Sequence, residues 1–158
     1  FAINYGEDLT FAFEPGRFLV AESGALFCSV VSIKTTPRYT FVGVNTGFNH
    51  LLRPALYGAY QPIVKINEIQ ADNKESVVVS GNLSDSADVF TTTAQGIETR
   101  DIPPLKEGDV LAITIAGAYG YSMSSNYNFQ PRPAEILVTG KKMAVIRPAE
   151  DVKTLIQN

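Results

Sequence analysis

One cysteine, Cys28, and one histidine, His50, leave little room for several common site chemistries. A lone cysteine makes neither a disulfide within the chain nor a cysteine-based zinc site. A lone histidine offers no convincing Ser-His-Asp order and no HExxH pair, and neither a GxGxxG nor a GxxxxGKS/T phosphate loop is present. The longest apolar stretches, such as Ala25 to Ile33, are broken by Cys28, Ser29 and Ser32 and fall well short of a membrane span. The first residues lack a basic segment followed by an apolar core, so no signal peptide is visible. Nor is there a basic cluster with interleaved aromatics, which argues against a nucleic-acid partner. These absences point to a cytoplasmic protein with no membrane partner and no metal, and leave open a small polar or ionic ligand.

The 158 residues, 45% of them hydrophobic and with a net charge of −3, fit one soluble domain with a real core. Short runs of β-branched and aromatic residues bounded by Gly, Pro, Asn and Asp read as strands. They fall near Phe18–Lys34, Tyr39–Val44, Ile63–Ile69, Ser76–Ser80, Val110–Ala116, Glu135–Thr139 and Lys142–Arg147. That density argues for a mainly β barrel or sandwich. Gly24, in the middle of the first run, suggests a bend or bulge. Two helices are expected: Asn49 to Tyr57, limited by Pro54 to a turn or two, and a short terminal helix within Ala149 to Gln157. Asp101 to Asp109 reads as a loop and turn entering the Val110 strand. Phe1 is not an initiator methionine, and the Phe11-Ala12-Phe13 run passes straight into Glu14, which suggests a piece of a longer chain.

Three segments carry candidate chemistry. Glu14-Pro15-Gly16-Arg17 sets an anion and a cation around a backbone that approaches a ligand closely, although a turn with a surface ion pair is the common reading. In Asn49 to Tyr60, Arg53 and Tyr57 share one face of any helical turn, and a guanidinium beside a phenol suits a carboxylate. The bland alternative is an exposed Arg beside a packed Tyr, and a lone His50 is more often packed than catalytic. Gly117 to Asn128, GAYGYSMSSNYN, mixes small, hydroxyl and aromatic residues behind an apolar strand, as ligand loops do and as tight connections also do.

Taken in order, EPGRFLV (Glu14–Val20), RPALYGAY (Arg53–Tyr60), GAYGYSMSSNYN and PRPAEILV (Pro131–Val138) resemble the diaminopimelate decarboxylases. These are pyridoxal-phosphate enzymes of the ornithine/diaminopimelate/arginine decarboxylase family with an alanine-racemase-like fold. The resemblance implies a fold-type III architecture, a TIM-like barrel followed by a β-domain, working as a homodimer with active sites at the interface. On this reading residues 1–17 are a remnant of the last barrel strand and its loop, and residues 18–158 are the C-terminal β-domain. The barrel, which needs about 250 residues, and its Schiff-base lysine lie outside the chain. A fused domain upstream, such as an aspartate kinase, stays open.

By resemblance, Glu14 faces the pyridine nitrogen of pyridoxal phosphate, and Gly16 and Arg17 line the cofactor. Arg17, Arg53 and Tyr57 contact substrate oxygens, and Tyr119 reaches both cofactor and substrate. The family's Cys-Glu-Ser-x-Asp block is replaced by Ser84-Asp85-Ser86-Ala87-Asp88. Ser84 thus stands at the position of a catalytic proton donor, and Asp85 at the position that grips the substrate's distal ammonium. A hydroxyl is far less acidic than a thiol and Asp is one methylene shorter than Glu, so substrate choice or rate is open to change. The expected activity is conversion of meso-diaminopimelate to L-lysine and carbon dioxide, with no activity in the isolated fragment. The alternatives are a decarboxylase of another basic amino acid, or a degenerate dimerisation or regulatory module.

Overall fold

The computed structural model describes residues 10–69 and 72–157. Its organising element is a long strand, β1 (Leu26–Thr35), which changes partner halfway. Its first half pairs antiparallel with β8 (Val110–Ile113), Phe27 opposite Ala112, and its second half with β2 (Thr40–Val44), Ile33 opposite Val42. The register slips between Val30 and Ser32, so the bulge lies at Val31 and not at Gly24. With β3 (Ile63–Lys65), β4 (Glu75–Ser80) and β7 (Arg100–Ile102), these strands form one sheet in the order β3-β8-β1-β2-β4-β7. Among the described residues only the β2–β4 pairing is parallel. A two-stranded ribbon, β5 (Thr92–Thr93) and β6 (Gly96–Ile97), and a hairpin, β9 (Glu135–Thr139) with β10 (Lys142–Arg147), complete the strands.

The sheet curls until its edge strands approach one another, giving a nearly closed barrel. Lys65 helps shut it: its ammonium donates to the carbonyl of Pro104 at 2.9 Å and pairs with Glu68 at 2.8 Å and Asp109 at 3.2 Å. The interior holds Val30, Val42, Val44, Val77, Val79, Leu111 and Ile113, closed off by Leu51, Phe90 and Ile102. Each such side chain contributes about 1.5–3 kcal/mol when fully buried. In β4 and β8, Val77-Val78-Val79 and Leu111-Ala112-Ile113 are buried without alternation, because both faces are covered. Cys28 lies in this core, and burial pushes its thiol up to about 12, which leaves it inert.

The mainly β architecture matches the expectation, and β9 and β10 have the expected bounds. Several other boundaries differ. The expected strand from Phe18 does not begin until Leu26: the carbonyl of Arg17 accepts from the N–H groups of Val20 and Ala21, at 3.3 and 2.9 Å, and winds this stretch into a turn and a short 3-10 helix, Ala21–Ser23. The strands expected to reach Ile69 and Ala116 stop at Lys65 and Ile113. The loop expected over Asp101 to Asp109 begins inside β7.

Helix α1 (Arg53–Tyr57) is shorter than the expected Asn49 to Tyr57. Pro54 stands in its first turn, where the missing N–H costs nothing. Gly58 ends it at φ +59, its N–H donating to the carbonyl of Pro54 at 2.8 Å. The terminal helix, α2 (Val152–Ile156), is capped by the Asp151 carboxylate, which accepts from the Lys153 N–H at 2.9 Å. No helix among the described residues is long and apolar enough to cross a membrane.

Candidate functional site

The turn at Arg17 and the loop after β8 are sewn together by backbone. The N–H of Ala116 donates to the carbonyl of Gly24 at 2.9 Å, and that of Gly117 to Ala21 at 3.0 Å. The approach is so close that a Cβ on Gly24 would lie 2.6 Å from the Gly117 Cα, and one on Gly117 would strike the Val20 carbonyl. Only glycine fits at either position. The first part of the loop also carries two non-glycine residues in the left-handed region, Ile115 at φ +59 and Tyr119 at φ +62. Such positions cost about 1–3 kcal/mol each and persist where the surroundings hold them. Here they turn the Tyr119 phenol back over the Glu14-Pro15-Gly16-Arg17 segment, with its hydroxyl where a Cβ of Gly16 would stand.

Helix α1 supplies the opposite wall. Arg53 and Tyr57 lie one turn apart, and the Arg53 guanidinium sits 5.4 Å from the Tyr57 ring centre and 5.6 Å from that of Tyr119. Arg53 is therefore held between two phenols by cation–π attraction. Arg17, Arg53, Tyr57, Tyr119 and Met123 together line an open cleft of about 380 Å³, within the range of small-ligand sites. Neither arginine forms an ion pair with any described residue. Two uncompensated cations, one pre-stacked on aromatic rings, make a site for carboxylate or phosphate oxygens.

The structure thus brings Gly16, Arg17, Arg53, Tyr57 and Tyr119 together. Glu14 is exposed and lies outside the cleft lining. Ser84 and Asp85 are not part of this cleft. They sit on a separate loop anchored by Asp88, which is only 3% exposed and accepts from the N–H groups of Phe48 at 2.7 Å and Leu83 at 2.8 Å. Burial pushes the Asp88 carboxyl above its usual range against those two hydrogen bonds. Asp85 accepts from the Ala87 N–H at 2.9 Å and from the Tyr127 hydroxyl at 3.1 Å. No group of three or more Cys, His, Asp and Glu side chains among the described residues is arranged to hold a metal.

The polar residues of GAYGYSMSSNYN are largely occupied in holding the loop. Arg132 donates to the Ser124 hydroxyl at 2.8 Å and the Asn126 amide oxygen at 3.0 Å, and pairs with Glu150 at 2.7 Å. Asn126 in turn donates to Glu150 at 2.5 Å. The backbone N–H of Arg132, which donates to Glu150 at 2.8 Å, contributes most to holding the Glu150 carboxyl below its usual range, and these side-chain bonds add to it. The Ser125 N–H reaches the carbonyl of Asn49 at 2.8 Å, joining this loop to the entry of α1.

His50 has the packed role its isolation suggested. The Pro131 carbonyl, 3.0 Å from Nε2, can only accept, so Nε2 carries the proton and Nδ1 accepts from the Thr46 hydroxyl at 2.8 Å. Burial, the largest influence, lowers its pKa and keeps the ring neutral. Residue patterns alone did not single out Met123, Asp88 or Arg132; the last two act through partners distant in sequence, and no local spacing signals that.

Comparison with known proteins places this geometry in context. Residues 17–117 match the family model described as "Pyridoxal-dependent decarboxylase, C-terminal sheet domain". A diaminopimelate decarboxylase of Methanothermobacter thermautotrophicus is 44% identical over 144 residues, covering 91% of this chain and 32% of the relative. A solved diaminopimelate decarboxylase superposes with a TM-score of 0.85 at 40% identity, over 99% of this chain and 38% of that one. Another, from M. jannaschii in complex with L-lysine, gives 0.80 at 41% identity, over 90% of this chain and 31% of that one. The chain therefore spans about a third of the length of the relatives it matches.

Proposed function

Because this chain belongs to the C-terminal sheet domains of the pyridoxal-dependent decarboxylases, we propose that its full-length protein decarboxylates meso-diaminopimelate to L-lysine and carbon dioxide. The observation that carries this reading is the cleft in which Arg17 and Arg53, without ion-pair partners among the described residues, face Tyr57 and Tyr119. A substrate with a carboxylate at each end needs such a site to hold one carboxylate while the other leaves.

The donor set also suits pyridoxal phosphate. The Tyr119 hydroxyl lies against the bare backbone of Gly16, in the space a side chain would take, and an exposed carboxylate, Glu14, precedes the cationic Arg17 in the same segment. When bound, this cofactor supplies the electron sink for decarboxylation, its Schiff-base lysine coming from outside this chain. Glu14 would keep a proton on the pyridine nitrogen, and Gly16, Arg17 and Tyr119 would hold cofactor oxygens. Arg53 and Tyr57 would fix the retained carboxylate through a guanidinium fork and a phenol.

Ser84 and Asp85 lie outside the cleft of their own chain, which favours a homodimer in which each loop serves the partner's site. There Asp85 would accept the distal ammonium, and Ser84, exposed and free of side-chain hydrogen bonds among the described residues, would deliver or relay a proton. The shorter Asp85 also favours a second reading, a decarboxylase of another basic amino acid.

The test is carbon dioxide release by the full-length protein with pyridoxal phosphate, comparing meso-diaminopimelate with lysine, ornithine and arginine. Release from diaminopimelate alone is the expected result. Release from one of the others would move the protein to the second reading, and no release despite bound cofactor would favour a non-catalytic module.

A further inference from the structure

We infer that Tyr127 is a positioning residue that aims the Asp85 carboxylate, and so sets how tightly a substrate's distal ammonium is held; this rests on the reading of Asp85 given above. The two side chains are far apart in sequence, yet the Tyr127 hydroxyl donates to Asp85 Oδ2 at 3.1 Å while the Ala87 N–H holds Oδ1 at 2.9 Å. Both oxygens are therefore oriented. A carboxylate offers roughly four acceptor positions, so two remain for an incoming ammonium.

The donor is itself braced. The Tyr127 ring stacks on Phe48 with centres 5.4 Å apart and planes 28° from parallel. The N–H of Phe48 ends on the buried carboxylate of Asp88, whose other oxygen receives Leu83 N–H from the Asp85 loop. A closed circuit results: Asp88 ties the base of the Asp85 loop to Phe48, Phe48 holds Tyr127, and Tyr127 holds Asp85. The hydrogen bond to Asp85 raises the Tyr127 pKa, so the phenol stays a donor well above neutral pH. Aspartate also reaches about 1.5 Å less far than glutamate. With so short an arm, the direction of the carboxylate matters more, and a fixed phenol supplies it.

The experiment compares Tyr127→Phe, Asp85→Ala and the double variant in the full-length protein with pyridoxal phosphate, reading kcat and KM for meso-diaminopimelate. Tyr127→Phe keeps the ring and its stacking and removes only the hydroxyl, so the fold is retained, with a thermal melt as the check. The expected result is a KM raised about fivefold, the value of one hydrogen bond of ordinary net strength, with kcat nearly unchanged. In the Asp85→Ala background the same change should do nothing further. If Asp85→Ala raises KM and Tyr127→Phe does not, the positioning role is wrong while the reading of Asp85 stands. An equal effect of Tyr127→Phe with and without Asp85 would also overturn it, since the hydroxyl would then act elsewhere. If Asp85→Ala leaves KM unchanged, the reading of Asp85 fails and this inference falls with it.

Discussion

Replacing Arg53 by methionine keeps most of the apolar stem and removes the fork that the cleft presents. Two quantities follow from the geometry. The guanidinium sits 5.4 and 5.6 Å from the Tyr57 and Tyr119 ring centres, and each such contact at an exposed site is worth about 0.5–1 kcal/mol. Loss of both should lower stability by about 1–2 kcal/mol, or roughly 2–8 °C in Tm for a domain of this size. Substrate binding should suffer more. With no competing carboxylate among the described residues, the guanidinium is available to a substrate carboxylate, and hydrogen bonds to charged groups contribute about 1.5–3 kcal/mol. At about 1.4 kcal/mol per tenfold, kcat/KM of the full-length enzyme should fall roughly 10- to 150-fold. Arg53→Lys, which keeps the charge without the planar fork, should fall between the parent and Arg53→Met. Steady-state kinetics on meso-diaminopimelate, with a thermal melt in parallel, provide the assay. An unchanged kcat/KM in Arg53→Met would refute the carboxylate role, whatever happened to Tm.

Three further outcomes are expected. Asp88→Asn presents one acceptor oxygen where two backbone N–H groups need one each, so urea unfolding should show a loss of about 1–3 kcal/mol. His50 has a folded pKa below its ordinary 6.5, so below that value the unfolded chain binds the proton more readily. Its contribution to stability should be complete above about pH 6.5 and decline as pH falls through and below it, and His50→Gln should flatten that part of the pH–stability profile. Gly117→Ala places a Cβ against the Val20 carbonyl and should cost more than Gly140→Ala. Gly140 sits in open space at φ +60, where the left-handed backbone alone costs about 1–2 kcal/mol. Equal losses in parallel urea titrations would show that the Gly24–Gly117 approach is not a tight contact.

Fold class and much of the cleft were legible in the sequence for local reasons. Alternating or continuous apolar runs marked β2, β4 and β8, and turn residues at Thr139 to Lys142 delimited β9 and β10. Pro54 limited α1, and the four-residue spacing of Arg53 and Tyr57 put them on one face. The stretch Phe18-Leu19-Val20 misled because its composition is that of a strand, while the Arg17 carbonyl captures the N–H groups of Val20 and Ala21 and turns the chain. Strands β5, β6 and β7 were missed because two or three residues cannot display a period. Strand β7 exists because β4, distant in sequence, completes its hydrogen bonds, while β5 and β6 pair only with each other across a tight turn.

What the sequence determined by itself was the chemistry available: a β-rich chain with a single cysteine and with Arg17, Arg53, Tyr57 and Tyr119 set in recognisable words. What only the tertiary structure decided was which of these meet. The left-handed backbone at Tyr119, the glycine-to-glycine approach of Gly24 and Gly117, and the separation of Ser84 and Asp85 from the cleft all depend on residues distant in sequence. Local propensity cannot express such contacts, because each exists only once the sheet has closed and brought both partners to one place.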